Sequence, residues 1–211
     1  MSDVLLAGDS TVAACPPHEA PMSGWGAHLA THLTGTVVHN FAKGGATTAS
    51  HRAEGLWDAL LWQLRPGDVV VLQFGHNDQK LPELASDGAY RENLARMVGE
   101  VRERGGRPVL CTSVQRRLFD GDVLEESHRD YPQAVRDLAT AQGVPLIDLA
   151  AQTTTLYTNL GAEGSRTLFT QFPPGVHPNY PDGIEDNTHF SSTGANAVAA
   201  LVANSLRPLL R

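Results

Sequence analysis

The feature that most constrains the fold is a series of short apolar runs without polar alternation. We predict strands at residues 4–7, 36–39, 68–74, 108–112 and 144–147. The third and fourth runs are apolar at successive positions, as expected of strands that are covered on both faces. Such strands need a layer of helices on each side, so the runs indicate a parallel sheet inside an α/β protein.

Apolar stripes with helical spacing lie between the predicted strands. Their residues recur at i, i+3, i+4 or i+7, which places them on one face of a helix. The stripes are Trp25, Leu29 and Leu33; Leu56, Leu60, Leu61 and Leu64; Tyr90, Leu94, Met97, Val98 and Val101; Tyr131, Val135, Leu138 and Ala139; and Ala195, Val198, Val202 and Leu206. A weaker stripe follows Leu149, and we expect all three tryptophans in the core. The alternation predicts right-handed crossovers and one domain over residues 1–211.

Composition and charge exclude several classes of function. The chain has 16 basic and 23 acidic residues, a net charge of −7, and no block of Lys or Arg, so we expect no nucleic-acid partner. It has no apolar run of about 18 residues, so we expect no membrane partner. The start of the chain carries no basic region typical of a signal peptide, which predicts a cytoplasmic protein. Cys15 and Cys111 are isolated, which favours reduced thiols and gives no zinc spacing.

A short polar motif, Gly8-Asp9-Ser10-Thr11, follows the first apolar run directly. Ligands bind at the carboxyl ends of strands in an open α/β sheet, so Ser10 is a candidate nucleophile. The alternative is that Ser10 and Thr11 cap the next helix, because Asp, Ser and Thr are favoured N-cap residues. This stretch alone does not decide between the two.

A second motif near the end of the chain, Asp186-Asn187-Thr188-His189, favours the nucleophile. A catalytic serine needs a base within hydrogen-bond reach and a carboxylate that orients the base. Asp186 and His189 are three residues apart, and we expect one turn to place both side chains on the same side. His189 would take the Ser10 proton and Asp186 would hold its tautomer. The alternative is a capping or surface histidine.

Polar residues also follow the second and third predicted strands. Gly44-Gly45 comes after the second strand and Asn77 after the third. An oxyanion hole needs fixed N–H donors, which the Ser10 and Gly45 backbone amides and the Asn77 side chain would supply. The alternatives are a plain turn at Gly44-Gly45 and a helix cap at Asn77-Asp78. The placement of all these motifs at strand ends or in the closing loop favours the catalytic interpretation.

Four blocks of the chain resemble those of the SGNH (GDSL-type) hydrolases: Gly8-Asp9-Ser10, Gly45, Gly75-His76-Asn77-Asp78 and Asp186-Asn187-Thr188-His189-Phe190. Gly24-Trp25-Gly26 and Gly194-Ala195 extend the resemblance toward the rhamnogalacturonan acetylesterase branch. The similarity runs from residue 4 to about residue 200. It implies a three-layer α/β/α sandwich with a five-stranded parallel sheet of flavodoxin-like order, without a metal or another cofactor.

The resemblance also implies roles for individual residues. Ser10 would be the nucleophile, Gly45 and Asn77 oxyanion donors, and Asp186 and His189 the acid–base pair. We assign substrate binding to three further residues: Asp9, His76 and Arg116. The branch often carries Arg-Ser after the glycine of the second block, whereas Ala46 and Thr47 follow Gly45 here. That departure argues against an acidic pectic substrate.

Together these patterns predict a serine esterase that removes small acyl groups, most plausibly acetyl, from a small acylated carbohydrate. One alternative is a metal-dependent phosphoesterase with ligands among His76, Asn77, Asp78, Asp186 and His189. Others are a lipase or thioesterase of the same family, and a carbohydrate-binding domain without catalysis. Long loops are expected at residues 11–24, 114–128 and 161–188, the last as a lid or substrate wall. Arg116 and Arg117 would contact a sugar or an acidic group, or form a solvated pair.

Overall fold

A five-stranded parallel sheet runs through the middle of residues 2–210, the part of the chain that this computed structural model describes. Its strands are Val4–Gly8 (β1), Val38–Asn40 (β2), Val69–Gln73 (β3), Arg107–Cys111 (β4) and Leu146–Ile147 (β7). The strand order is β2-β1-β3-β4-β7, which is the flavodoxin-like order expected from the sequence. The predicted strands are confirmed, with bounds that differ by one or two residues.

The helices lie in two layers on either side of the sheet. They are Ser50–Ala53 (α1), Leu56–Gln63 (α2), Ala89–Glu103 (α3), Tyr131–Gln142 (α4), Leu149–Gly164 (α5) and Ser192–Leu206 (α6). Along β1, Val4 and Leu6 pack toward α5 and α6, whereas Leu5 and Ala7 pack toward α2, α3 and α4. Because all four side chains are fully buried, β1 has no solvated face, as its apolar run predicted. None of the helices in residues 2–210 is long and apolar enough to cross a membrane.

Two predictions about tryptophans are wrong. The stripe from Trp25 to Leu33 forms two short 3₁₀ helices, Trp25–Ala27 and Leu29–His32, instead of an α-helix. The reason is that the backbone N–H of Trp25 donates to the Thr11 carbonyl, so this segment pairs with the loop after β1. Trp62 is 89% exposed, because its neighbours Leu60 and Leu61 take the inward positions of α2.

The predicted long loops contain regular structure. Phe119–Asp120 (β5) and Val123–Leu124 (β6) form a small hairpin within the second loop. Phe169–Phe172 (β8) and Ile184–Phe190 (β9) form an antiparallel pair within the third. The β8–β9 pair is held to the core by its aromatic ends: Phe169 and Phe190 are buried, with ring centroids 5.3 Å apart. Only residues 173–183 between these strands run without regular structure.

A matched pair of glycines in helices tests this packing. A β-carbon on Gly194, in the first turn of α6, would overlap the carbonyl oxygen of Leu168, whereas one on Gly99 in α3 meets nothing within 4 Å. We expect Gly194→Ala to lower the free energy of unfolding by about 3 kcal/mol, because the backbone must move apart. Gly99→Ala is expected to raise it by about 0.5–1 kcal/mol. Urea denaturation measures both, and effects of the same sign would contradict the packing.

Candidate active site

The candidate site lies at the carboxyl edge of the sheet, where the strand order reverses beside β1. In a parallel sheet the loops on either side of such a reversal diverge and leave a crevice. Here that crevice is a cavity of about 420 Å³ bordered by Ser10, Gly45, Asn77 and His189. Ser10, Gly45 and Asn77 follow three different strands, and His189 lies in β9. The fold therefore brings together motifs that are distant in the sequence.

Ser10 lies in a tight turn directly after β1. The Asp9 carboxylate accepts hydrogen bonds from the backbone N–H and the hydroxyl of Thr11, at 3.0 and 2.8 Å. The Asp9 carbonyl accepts from the N–H groups of Val12 and Ala13, which closes the turn. The next helical turn, Pro17–Glu19, has no side-chain cap. Ser10 therefore does not cap a helix, and its hydroxyl is free to face the cavity.

Asp186 and His189 lie in an irregularity of β9. Gln171 of β8 pairs with Glu185, but Phe169 pairs with Phe190, so a two-residue step on β8 faces a five-residue step on β9. The extra residues form a bulge, and bulges re-aim side chains next to active sites. The spacing of Asp186 and His189 predicts one turn here. The structure has a bulged strand instead of that turn, and the two side chains still lie against each other, as expected.

The bulge is stabilised by the Asp186 carboxylate itself. One oxygen, Oδ1, accepts from the backbone N–H groups of Thr188 and His189 at 2.6 and 2.8 Å, and Oδ2 lies 2.7 Å from His189 Nδ1. Burial raises the pKa of this carboxyl, but the hydrogen bonds from His189 and the nearby backbone outweigh it and hold the pKa below its ordinary value. An ionised Asp186 accepts a hydrogen bond from Nδ1–H, which keeps the proton on Nδ1 and leaves His189 Nε2 as the acceptor.

His189 Nε2 lies 2.9 Å from Ser10 Oγ. With Nδ1 protonated and bonded to Asp186, Nε2 can accept the Ser10 hydroxyl proton. The His189 side chain is 31% exposed and the Asp186 side chain 20%, so the pair lies at the rim of the cavity rather than in the core. Hydroxyl, imidazole and carboxylate form one continuous hydrogen-bonded chain, which is the geometry that activates a serine.

Three residues that carry N–H donors border the same cavity: Ser10, Gly45 and Asn77. Within residues 2–210 the backbone N–H groups of Ser10 and Gly45 have no hydrogen-bond acceptor. Gly45 has φ +77°, a backbone conformation that glycine adopts without strain and that residues with a side chain adopt only with strain. The Asn77 side chain donates to the Ala46 carbonyl at 3.1 Å and accepts from Lys80 Nζ at 2.9 Å. One amide hydrogen of Asn77 thus remains for a ligand.

Asp78 supports these donors in a way that the sequence analysis did not identify. Its buried Oδ1 accepts from the backbone N–H and the hydroxyl of Thr48, at 2.9 and 2.6 Å. The contact joins the segment after β3, which carries Asn77, to the segment after β2, which carries Gly45. Burial raises the pKa of the Asp78 carboxyl. The one signal of this role in the sequence is the position of Asp78 next to Asn77. A contact between distant segments of the chain produces no spacing pattern.

Asp9 and His76 lie beneath the cavity and not on its surface. Asp9 is 0% exposed and His76 is 2% exposed, and Asp9 Oδ2 lies 3.2 Å from His76 Nδ1. Burial raises the pKa of Asp9, but His76 and the Thr11 hydrogen bonds lower it by more. The pKa therefore lies below its ordinary value, and the carboxyl stays ionised. The expectation that these two residues bind substrate is therefore wrong, because neither has a face that a substrate reaches. They hold the Ser10 turn in place.

The two arginines after β4 have separate surroundings. Arg117 is buried and holds the bulge of β9: its backbone N–H donates to the Asn187 carbonyl at 2.8 Å and its Nη1 to Asn187 Oδ1 at 2.9 Å. Arg117 is thus neither a sugar contact nor half of a solvated pair. Arg116 is half-buried, donates to the His76 carbonyl, and borders a different cavity from the one at Ser10.

The two cysteines and the candidate metal ligands were also located. Cys15 borders the cavity at Ser10, where burial and the neighbouring Glu19 raise the pKa of its thiol. Cys111 is buried in the core, as expected. Over residues 2–210, no three His, Cys, Asp or Glu side chains come close enough together to hold a metal ion.

The lowered pKa of Asp186 predicts how its contribution to stability depends on pH. A carboxyl whose pKa is depressed on folding stabilises the native state above its unfolded pKa, about 3.9, and loses that contribution as the pH falls through the native value. We expect Asp186→Asn to unfold more easily than the parent at pH 7. The difference should shrink below about pH 4 as the parent's carboxyl is protonated. Urea unfolding at a series of pH values measures it, and a difference independent of pH would contradict the assignment.

Comparisons with known proteins agree with this geometry. A model of the GDSL-like lipase/acylhydrolase family matches residues 6–195. The chain is 49% identical to the rhamnogalacturonan acetylesterase RhgT of Bacillus subtilis, over 98% of this chain and 90% of that protein. It is 33% identical to the probable rhamnogalacturonan acetylesterase YesY of the same organism, over 98% of this chain and 93% of that protein.

A solved structure shows the same fold. The crystal structure of Bacillus subtilis protein YxiM has a TM-score of 0.83 and 26% identity, covering 99% of this chain. The match covers 56% of that protein, so this chain spans little more than half of its length. These findings confirm the resemblance of the four sequence blocks: the chain belongs to the GDSL-like lipase/acylhydrolase family, the SGNH hydrolases, and is a carboxylic ester hydrolase.

Proposed function

We propose that the protein is a serine esterase that removes acetyl groups from the hydroxyls of a carbohydrate. The observation that carries the proposal is the hydrogen-bonded chain from Ser10 through His189 to Asp186. The names of RhgT and YesY support an acetylated carbohydrate as substrate. We further propose that the chain forms one hydrolase domain, since the cores on both sides share a single central sheet.

The first half of the reaction forms an acyl-enzyme. The Ser10 hydroxyl attacks the ester carbonyl while His189 Nε2 takes its proton, and Asp186 stabilises the imidazolium that results. The N–H groups of Ser10 and Gly45 and the amide of Asn77 bind the oxyanion as it develops. His189 then gives the proton to the departing sugar alcohol, which leaves the acetyl group on Ser10.

The second half regenerates the enzyme. His189 takes a proton from a water molecule, the resulting hydroxide attacks the acetyl carbonyl, and the same three donors hold the second oxyanion. The proton returns to Ser10 as acetate leaves. Each step uses a group that borders the cavity of about 420 Å³ or bonds directly to one that does.

Replacement of Ser10 tests the nucleophile. We expect Ser10→Ala to lower kcat for an aryl acetate by at least about 10⁴-fold, because the attacking oxygen is gone. Ser205→Ala is the control, since Ser205 lies in α6 and donates to the Leu201 carbonyl away from the cavity. Circular dichroism should show both variants folded.

Two reagents separate the esterase from a metal-dependent phosphoesterase. An organophosphonate should inactivate the parent and add one label to the peptide that contains Ser10, and EDTA should leave turnover unchanged. Substantial turnover by Ser10→Ala, or loss of activity with EDTA, would overturn the proposal.

Replacement of Asn77 tests the oxyanion hole. We expect Asn77→Ala to lower kcat by about 10²–10³-fold, the usual cost of losing one donor. Asn77→Asp keeps the size of the side chain but places an acceptor against the oxyanion, so its kcat should be lower still. Steady-state kinetics on the same acetate ester measure both variants. An Asn77→Asp enzyme as active as the parent would remove Asn77 from this role.

A further inference from the structure

One cation at the cavity that borders Ser10 has no part in the proposed ester hydrolysis as described above. It is Lys80, one of two lysines in the chain. Within residues 2–210 the Lys80 ammonium forms no ion pair, whereas the ammonium of Lys43 pairs with Glu54. The positive charge of Lys80 therefore lies at the cavity without a carboxylate to neutralise it.

The backbone brings Lys80 back to Asn77. Asp78–Lys80 is a 3₁₀ turn that starts directly after Asn77, and the N–H of Lys80 donates to the Asn77 carbonyl at 3.1 Å. Residues three apart lie on the same side of such a turn. The Lys80 ammonium accordingly reaches the Asn77 side chain and donates to its Oδ1 at 2.9 Å. The Lys80 side chain is otherwise exposed, so this hydrogen bond determines where its charge lies.

The contact gives the Asn77 amide one favoured orientation. An ammonium carries three donors and no acceptor, so it must face Oδ1 of the amide rather than Nδ2. Nδ2 then donates one hydrogen to the Ala46 carbonyl at 3.1 Å and keeps the other for a ligand. With the amide turned over, Nδ2 would face the ammonium, and Oδ1 would face both the Ala46 carbonyl and the developing oxyanion. Lys80 therefore works against the orientation that would repel the oxyanion.

The charge of Lys80 also strengthens the donor. A hydrogen bond from a charged group is about twice as strong as one between neutral groups. It draws electron density toward Oδ1, and hydrogen bonds in such a chain polarise one another. The N–H of Asn77 is then a better donor to a negative oxygen. Fixed dipoles aimed at the developing charge are the usual source of stabilisation in an oxyanion hole.

We propose that Lys80 is a positioning residue of the oxyanion hole, which acts through the amide of Asn77. The ammonium holds that amide with its N–H toward the developing oxyanion and polarises it. The inference rests on the proposed function, in which Asn77 is an oxyanion donor. It differs from two other roles for the same side chain: a solvated lysine without effect on catalysis, and a direct contact with the substrate.

The test is a double-mutant cycle between Lys80 and Asn77. The variants are Lys80→Met, which keeps the length of the side chain without its charge, and Lys80→Arg, which keeps the charge and the donors. Lys80→Met is made in the parent and in Asn77→Ala. Lys43→Met is the matched control, since it removes the other lysine, whose ammonium contacts Glu54. Steady-state kinetics on an aryl acetate give kcat and KM for each, and circular dichroism checks the fold.

We expect Lys80→Met to lower kcat about tenfold in the parent, as for the loss of a hydrogen bond from a charged donor. KM should stay the same, because the ester oxygen gains its negative charge only in the transition state. Lys80→Arg should recover most of the loss, and Lys43→Met should match the parent. In Asn77→Ala the amide is absent, so Lys80→Met should lower kcat no further.

Three results would overturn the role of Lys80 and leave the esterase intact. They are a parental kcat in Lys80→Met, a rise in KM at unchanged kcat, and the same loss of kcat with and without Asn77. The last two would show a direct contact with the substrate or an effect independent of the amide. An Asn77→Ala enzyme with the parental kcat would overturn Asn77 and Lys80 together, whereas only Ser10→Ala tests the nucleophile.

Discussion

The hydrogen bond between Asp186 and the Nδ1 atom of His189 is the interaction on which the candidate site depends. It decides which ring nitrogen carries the proton, and therefore whether Nε2 can accept one from Ser10. The bond exists because β9 bulges between Glu185 and Phe190. A regular strand would send residues three apart to opposite faces of the sheet. The same carboxylate closes the bulge through the backbone N–H of His189, so a single group builds the local structure and orients the base.

The rest of the fold keeps this pair opposite Ser10. Arg117 holds the bulge through Asn187, and the buried pair of Asp9 and His76 holds the Ser10 turn. Asp78 holds the two segments that carry the proposed oxyanion donors. Each of these contacts joins stretches that are distant in the sequence. A sheet that is packed on both faces keeps these contacts in place, because its close-packed strands cannot slide past one another. The candidate site is thus positioned by a buried polar framework below it.

Much of the fold follows from local patterns in the sequence. The apolar runs place all five central strands, because strands covered on both faces need no alternation, and the stripe from Ala195 to Leu206 lies within α6. Trp25 and Trp62 show where such patterns fail. Trp25 has helical spacing, but its backbone bonds to the loop after β1, and Trp62 lies in a helix on the side away from the core. The outcome for Trp25 depends on a contact with residues that are not its neighbours in the chain, whereas the exposure of Trp62 follows from the inward positions of Leu60 and Leu61.

The proposed catalytic residues could also be predicted from the sequence, because most of them lie near the ends of strands. Ser10, Gly45 and Asn77 lie two, five and four residues beyond the ends of β1, β2 and β3, and strand ends are visible in the sequence. Residues that act through distant partners were not accessible, because the burial of Asp9 and His76 depends on which loops the fold brings together.

The central claim is that Ser10 carries the acyl group between the two halves of the reaction. Rapid acid quenching of the enzyme during turnover of an acetate ester, followed by peptide mass spectrometry, tests it most directly. The account predicts one acetyl group on the peptide that contains Ser10, formed before steady-state release of acetate and absent when His189 is replaced by alanine. Release of acetate at the full rate without acetylated Ser10 at any quench time would contradict it.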